Sequence, residues 1–280
     1  MNYHQKGIVM QNRFCLSLIF IITCGSFLFG QDAVAQDSTN YHKYNFSEFG
    51  HETWSFIKQP GRWDGGDWIR LGAIGAASFV LMEEADQPIR DAVHRDHRYV
   101  KSAVIEGGRM YGDVYTPVFL FTGFALTSWI ADDHGTWKVA YEIAQSTLYA
   151  GGANFIVKTV VGRARPYDEE GAKKFTPFKG ILVNTAHQSF PGGHTVVAFA
   201  LSTVFSRNVD PVWLKGLAYV PAAVTFVARV YQDHHWTSDD FAGAAVGYFV
   251  ATWVVDQHEQ SESRLRVSSV FPLTVSIRLD

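Results

Sequence analysis

Three short clusters in the second half of this chain have residue types and spacings suited to work on a tetrahedral oxyanion. They are Lys158 with Arg165-Pro166, Pro191-Gly192-Gly193-His194, and Arg229 with His235 and Asp239. A transferring phosphoryl group spreads negative charge over its equatorial oxygens, so fixed cations and backbone N–H donors are the first requirement. Lys158, Arg165 and Arg229 supply the cations. Arginine clamps phosphate with a planar, bidentate fork, whereas lysine acts more as a point charge. On a continuous helix Lys158 and Arg165, seven residues apart, share a face. Pro166 then closes that helix, because the residue before a proline avoids the α region.

The second cluster precedes the apolar run Val196 to Phe205, which reads as a helix. A proline and paired glycines before a helix start make a tight turn whose N–H groups, with those at Gly192 and Gly193, form an anion cradle at the positive end of the helix dipole. His194 at its edge can lend a proton to a leaving alkoxide near neutral pH. In the third cluster His235 and Asp239 stand four residues apart at a helix start. A carboxylate on one imidazole nitrogen sets the tautomer and leaves the other nitrogen free to attack phosphorus. The doublets His234-His235 and Asp239-Asp240 allow a second register, but His234 four residues on meets Ser238, so His235 with Asp239 is favoured as nucleophile and orienter.

Taken together and in order, the clusters resemble the signature of the type 2 phosphatidic acid phosphatase and vanadium haloperoxidase superfamily, K-x6-RP, PSGH and SR-x5-H-x3-D. The resemblance covers Lys158 to Asp239. It implies that Lys158, Arg165 and Arg229 bind phosphate, that His194 is the general acid, that His235 oriented by Asp239 is the nucleophile, and that the reaction needs no metal. It also implies an all-α helical bundle. Two positions depart from the pattern: Gly192 stands where the motif has serine, and Ala228 precedes Arg229 where the motif has another. The first loss removes a hydroxyl whose hydrogen bond to a charged acceptor is worth roughly 1.5–3 kcal/mol.

Each cluster alone has a plainer reading. A lone lysine on a helix is usually solvated, Pro-Gly-Gly is usually a loop, and aspartate at a helix start is favoured as a cap. Their conjunction is what favours chemistry. His94 and His97 lie in a mixed-charge stretch that reads as a solvated helix end, and with Glu83 and Asp86 they fix no ligand geometry. His187 reads as a loop histidine near the second cluster, and His42, His51, His134 and His258 carry no partner pattern.

The elements that must position these groups read as helices over Asp67–Glu84, within Asp86–His94, and over Lys101–Arg109, Val114–Ile130, Trp137–Gly162, His194–Ser206, Val212–Tyr231 and Ser238–His258. The chain has 280 residues, 47% hydrophobic content and a net charge of −3, which gives no support for nucleic-acid binding. Residues 1–35 have the pattern of a secretory signal peptide, with Lys6 and Arg13 before an uncharged run and Ala33-Val34-Ala35 at its end; an uncleaved anchor is the alternative. Both cysteines, Cys15 and Cys24, fall in this leader. Residues 36–66 read as a polar lead-in with a short helix, 67–258 as the helical domain, and 259–280 as a tail whose alternation from Leu265 suggests short strands. A mean hydropathy of −0.02 is low for a six-span protein, and the expectation is a periplasmic protein, soluble or loosely attached to a membrane face.

The expected function is therefore an exported phosphatase that hydrolyses small phosphate esters or phosphorylated lipids through a phosphohistidine, without cofactor. A vanadate-dependent haloperoxidase, with vanadate held in the same cradle, is one rival. A non-catalytic phosphate or lipid binder is the other.

Overall fold

The computed structural model describes residues 44–178 and 185–270. The described residues fold into a helical bundle with no sheet, in which one isolated bridge joins Arg163 and Phe175. The helices are α1 (Phe46–Ile57), α2 (Gly65–Glu84), α3 (Asp86–Arg95), α4 (Ala103–Tyr111), α5 (Tyr115–Ala131), α6 (His134–Val161), α7 (Gly193–Arg207), α8 (Val212–Leu217), α9 (Val220–Tyr231) and α10 (Thr237–Val270). The signal-peptide reading of residues 1–35 lies outside the described residues.

Local chemistry sets most of the ends. Asn45 caps α1, a reciprocal Asp64–Asp67 capping box opens α2, Ser102 caps α4, and Asp133 accepts from the N–H groups of Gly135 and Thr136 at the start of α6. The run read as one helix over Val212–Tyr231 is broken into α8 and α9 at Ala218-Tyr219. Pro221 explains the break, since it has no N–H to give to the carbonyl of Leu217 and its ring crowds that carbonyl. Residues 265–270 are the last turns of α10 rather than the strand-like run suggested by their alternation. A helix already nucleated in a packed bundle gains one hydrogen bond for each residue added. The remainder of that tail, 271–280, lies outside the described residues.

The core sits between α5, α6, α7 and α10, around Leu120, Phe124, Val139, Ile143, Val196, Leu201, Val204 and Val255. The helices α7 and α10 meet almost backbone to backbone. A methyl group at Gly247 would lie 2.3 Å from the carbonyl oxygen of Val196, and one at Gly243 would lie 2.5 Å from that of Gly192. Only glycine permits this approach, and it brings the start of α10 against the start of α7, where the second and third clusters lie.

Helix α1, in the segment read as a lead-in, is tied to α6 and α10 through polar groups. Gln145 and Tyr141 donate to Glu52 at 2.7 and 3.1 Å, Thr53 pairs with Tyr149 at 2.8 Å, and buried His258 lies between Glu142 at 3.1 Å and Glu52 at 3.4 Å. Burial alone would depress His258, but the two glutamates override it and hold its pKa at about 9. Among the described residues no single helix is long and apolar enough to cross a membrane; the bent pair α4 and α5, at 70°, meets the length and composition together.

Candidate active site

The site forms where the ends of α6, α7, α9 and α10 converge. Lys158 lies one turn before the end of α6, which stops at Val161 because Gly162 takes the left-handed region at φ +57. A methyl group there would meet the carbonyl oxygen of Thr176 at 2.0 Å. Lys158 and Arg165 therefore do not share a face of one continuous helix, as the spacing suggested. The chain leaves α6 four residues before Arg165, runs extended through Arg165 at φ −76 and ψ 155, and is held by the Arg165 N–H to the Ala186 carbonyl at 2.8 Å. The glycine, not the proline, ends the helix.

The two cations nevertheless act on one volume. Lys158 is buried, and its Nζ donates to the carbonyls of Gln188 at 2.7 Å and Ser189 at 3.3 Å. Its ammonium pKa is pushed down to about 7, first by burial and then by the nearby Arg165 and Arg229. Arg229 lies in the last turn of α9, is 3% exposed, and has its pKa lowered to about 10 by burial above all. Its fork is held by Gln232, which is in turn bonded to Glu106. The Nε atoms of Arg165 and Arg229 are buried with no hydrogen-bond partner among the described residues. Buried guanidinium donors with no protein partner can serve an anionic acceptor.

The second cluster arrives through a cis Phe190-Pro191 bond, and Gly193 is the first residue of α7. No side chain caps this end, so its first-turn N–H groups face the cluster as a helix N-terminus does. Gly192 corrects one expectation. Its own N–H donates to the Asp239 carbonyl at 2.8 Å and cannot also serve an anion. Gly193 stays next to the cations, since a methyl group there would lie 3.5 Å from Lys158 Cε and 3.4 Å from Asn154 Nδ2. His194 is partly exposed, with Nε2 3.9 Å from Asp113 Oδ2. Burial first, then Arg229 and Arg165, pushes its pKa down to about 3.

The third cluster wraps over the end of α9. Asp233 takes a left-handed conformation at φ 58 and is gripped by Arg90 at 2.8 and 3.0 Å. The N–H groups of His234 and His235 then fold back on the Arg229 carbonyl at 3.1 and 3.4 Å. The two histidines of the doublet part in space. His235 is 2% exposed and lies among Lys158, Arg165, Arg229 and His194, whereas His234 bonds the Gln232 carbonyl and meets the edge of Tyr167. Burial and those cations hold His235 well below its ordinary pKa, so its imidazole is neutral. Its Nδ1 lies 3.9 Å from Asp239 Oδ2 and has no hydrogen-bond partner among the described residues. The pair faces correctly but is longer than a hydrogen bond, a common state of catalytic pairs before substrate binds.

Asp239 is fixed by a buried network that the sequence did not disclose. Arg163 donates to Asp239 Oδ1 at 2.6 Å, to Ser238 Oγ at 2.7 Å and to Asp86 Oδ2 at 2.8 Å. Ser189 Oγ and the Trp236 N–H donate to Asp239 Oδ2 at 2.5 and 2.9 Å. Burial raises the Asp239 carboxyl, and Arg163 is the main force opposing that rise. Arg163 sits between the two named cations of the first cluster, and that position was the only signal for it. The other charged groups once considered with Asp86 go elsewhere: Glu83 pairs with Lys173, His94 with Asp233, and His97 with the Tyr231 carbonyl. His187 is buried, with Nδ1 paired to Thr176. It forms with Asp168 and Glu170 a group whose ligand atoms lie within 4.8 Å of one another, which a cation could use. That group takes no part in the cradle.

Residues 140–263 match the family model described as the PAP2 superfamily. It is 38% identical over 77 residues to a protein named lipid A 1-phosphatase from Porphyromonas gingivalis, covering 26% of this chain and 17% of that one. It is 30% identical over 138 residues to a protein named probable lipid phosphate phosphatase 4 from Arabidopsis thaliana, covering 40% of this chain and 44% of that one. The chain thus spans less than half the length of either curated relative. A crystal structure described as the first transmembrane PAP2 type phosphatidylglycerolphosphate phosphatase from Bacillus subtilis aligns with a TM-score of 0.46 at 19% identity, covering 67% of this chain and 95% of that chain.

Proposed function

We propose that the protein is an exported, membrane-associated phosphatase that removes phosphate from a lipid phosphate or a similar monoester through a phosphohistidine. The observation that carries this reading is the placing of a neutral, buried His235 against Lys158, Arg165 and Arg229, with His194 on the rim of the same cradle. The N-terminus of α7 and the three cations hold the phosphoryl oxygens. His235 Nε2 attacks phosphorus as the bond to the leaving oxygen breaks, and the Asp239 carboxylate accepts a hydrogen bond from the Nδ1–H and stabilises the positive charge of the phosphorylated imidazole. His194 gives the leaving oxygen its proton. In the second half water attacks phosphorus, the P–N bond breaks, the water proton passes to His194, and inorganic phosphate leaves.

Burial and the surrounding cations favour the neutral form of His194, and a bound dianion offsets those cations and favours its protonation. The reading thus joins substrate binding to the arming of the acid. The names of the two curated relatives support a lipid phosphate as substrate. So do the apolar side chains that α5 and α8 leave exposed, among them Phe119, Trp129, Ile130, Val212 and Trp213.

The test is phosphate release from para-nitrophenyl phosphate and from phosphatidate in mixed micelles, by wild type and His235→Ala, with EDTA present. Release that survives EDTA, is inhibited by orthovanadate and is lost in His235→Ala supports the mechanism. Undiminished release by His235→Ala overturns it. Phosphate binding without release of either substrate would favour a binder, and bromide oxidation by peroxide and vanadate would favour a haloperoxidase.

A further inference from the structure

The mechanism leaves one buried acid of the site unused. Asp240 is fully buried and follows Asp239 in the first turn of α10. Its Oδ1 accepts a hydrogen bond from Thr195 at 2.7 Å, and its Oδ2 is buried with no hydrogen-bond partner among the described residues. A methyl group added at Gly192 would lie 1.9 Å from Oδ1, so the carboxyl occupies the space into which a side chain at that position would grow. Gly192 is also the position at which the chain departs from the serine of the superfamily pattern. Glycine there and a buried acid at position 240 make one complementary pair: either a side chain grows from the turn, or the carboxyl reaches in from α10.

We infer that Asp240 is a phosphate-holding residue, whose carboxylic acid is anchored through Oδ1 to Thr195 and presents Oδ2–H to a phosphoryl oxygen. The inference rests on the phosphatase reading for the identity of the anion. A buried carboxyl with an open oxygen, close to Lys158 and Arg229, can donate to an anion if it holds a proton and repels one if it does not. Burial raises its pKa well above the ordinary carboxylate value, and Asp239 on the same helix pushes it further. Thr195 from α7, Arg229 from α9 and Lys158 from α6 pull it the other way. Arg165 from the loop after α6 also feels its charge.

The experiment measures inorganic phosphate affinity by calorimetry and para-nitrophenyl phosphate kinetics on the full chain, with thermal unfolding of each variant as the control for folding. Asp240→Ala is expected to weaken phosphate binding about 10- to 100-fold, the loss of one hydrogen bond to a charged acceptor. Asp240→Asn keeps an N–H donor and the same shape, and is expected to stay near wild type. Gly192→Ser alone should lose affinity through its collision with the carboxyl, and the double variant Gly192→Ser/Asp240→Ala should recover most of what Asp240→Ala lost. Equal losses in Asn and Ala variants would mark an ionised counter-charge and overturn the inference, as would an Asp240→Ala protein with unchanged affinity or a wild type that binds no phosphate. A wild type that binds phosphate but releases none from esters overturns the phosphatase reading alone, and the affinities of the variants still decide the role of Asp240.

Discussion

Three cations and two histidines are buried close together, and burial first, then the neighbouring cations, depresses the proton affinity of Lys158, His194 and His235. Lys158 is held at about 7 and His194 at about 3. An entering dianion favours the charged forms, so phosphate binding near pH 7.5 should take up protons, and phosphate affinity should fall between pH 7 and 9 as Lys158 loses its charge. Calorimetry in buffers of different ionisation enthalpy reads the uptake directly. The same shift has a stability consequence whose sign is fixed. Lys158 is neutral in the fold above pH 7 but charged in the unfolded chain up to about 10.4, so its contribution to stability rises with pH across that window. It is lost as pH falls through 7, and phosphate should restore it, which a thermal unfolding series with and without phosphate checks. The Arg163 network makes the complementary prediction. Arg163→Met leaves Asp86 and Asp239 buried without their shared counter-charge, and should cost about 3–5 kcal/mol in urea unfolding. A loss of turnover without that loss of stability would mean that Arg163 acts on the chemistry rather than on the placing of Asp239.

At the scale of elements, the site depends on how closely α7 and α10 approach. Gly247→Ala forces a methyl group against the Val196 carbonyl and should destabilise the fold by about 1–3 kcal/mol. Gly72→Ala, in α2 with nothing within 4 Å, should stabilise it by about 0.5–1 kcal/mol through helix propensity alone. Opposite signs from one substitution, read by chemical unfolding, separate a packing glycine from an incidental one. The attachment of α1 is a second case. His258 has its pKa raised from 6.5 to about 9 between Glu142 and Glu52, so its contribution is full below 6.5 and lost as pH rises through 9. Amide exchange in α1 should accelerate between pH 8 and 10 beyond the intrinsic base catalysis seen in α7, and His258→Gln should abolish the difference.

Among the described residues, several large apolar side chains stand exposed on α5 and α8. Trp129 at 80% and Val212 at 83% exposure, with Phe119 and Trp213, are the clearest. Burying such side chains in a bilayer face is favourable by roughly 1.5–3 kcal/mol each. Phe119→Asp/Trp129→Asp should therefore abolish co-flotation with phosphatidylcholine vesicles and lower turnover of phosphatidate in those vesicles, while leaving turnover of para-nitrophenyl phosphate unchanged. Loss of both activities together would place those residues in the fold rather than on a membrane-facing surface.

The sequence by itself determined the helical class and the approximate span of most helices, and it singled out the groups proposed to hold and attack a phosphoryl group, because capping residues, hydrophobic runs and motif spacings are local. It also favoured His235 over His234, from the carboxylate four residues on. Where the sequence misled, backbone geometry decided: Gly162 turns left-handed beside Thr176 so that α6 does not continue to Arg165, and the Asp239 carbonyl takes the N–H of Gly192. Arg163, Asp86 and Ser238 were invisible as a unit because they come from three separate parts of the chain, and charge complementarity binds them only after the bundle brings them within 3 Å. Asp240 was seen only as the second half of a doublet. Its meaning came from the packing of α10 against α7, which sets its carboxyl beside a glycine and leaves one oxygen open.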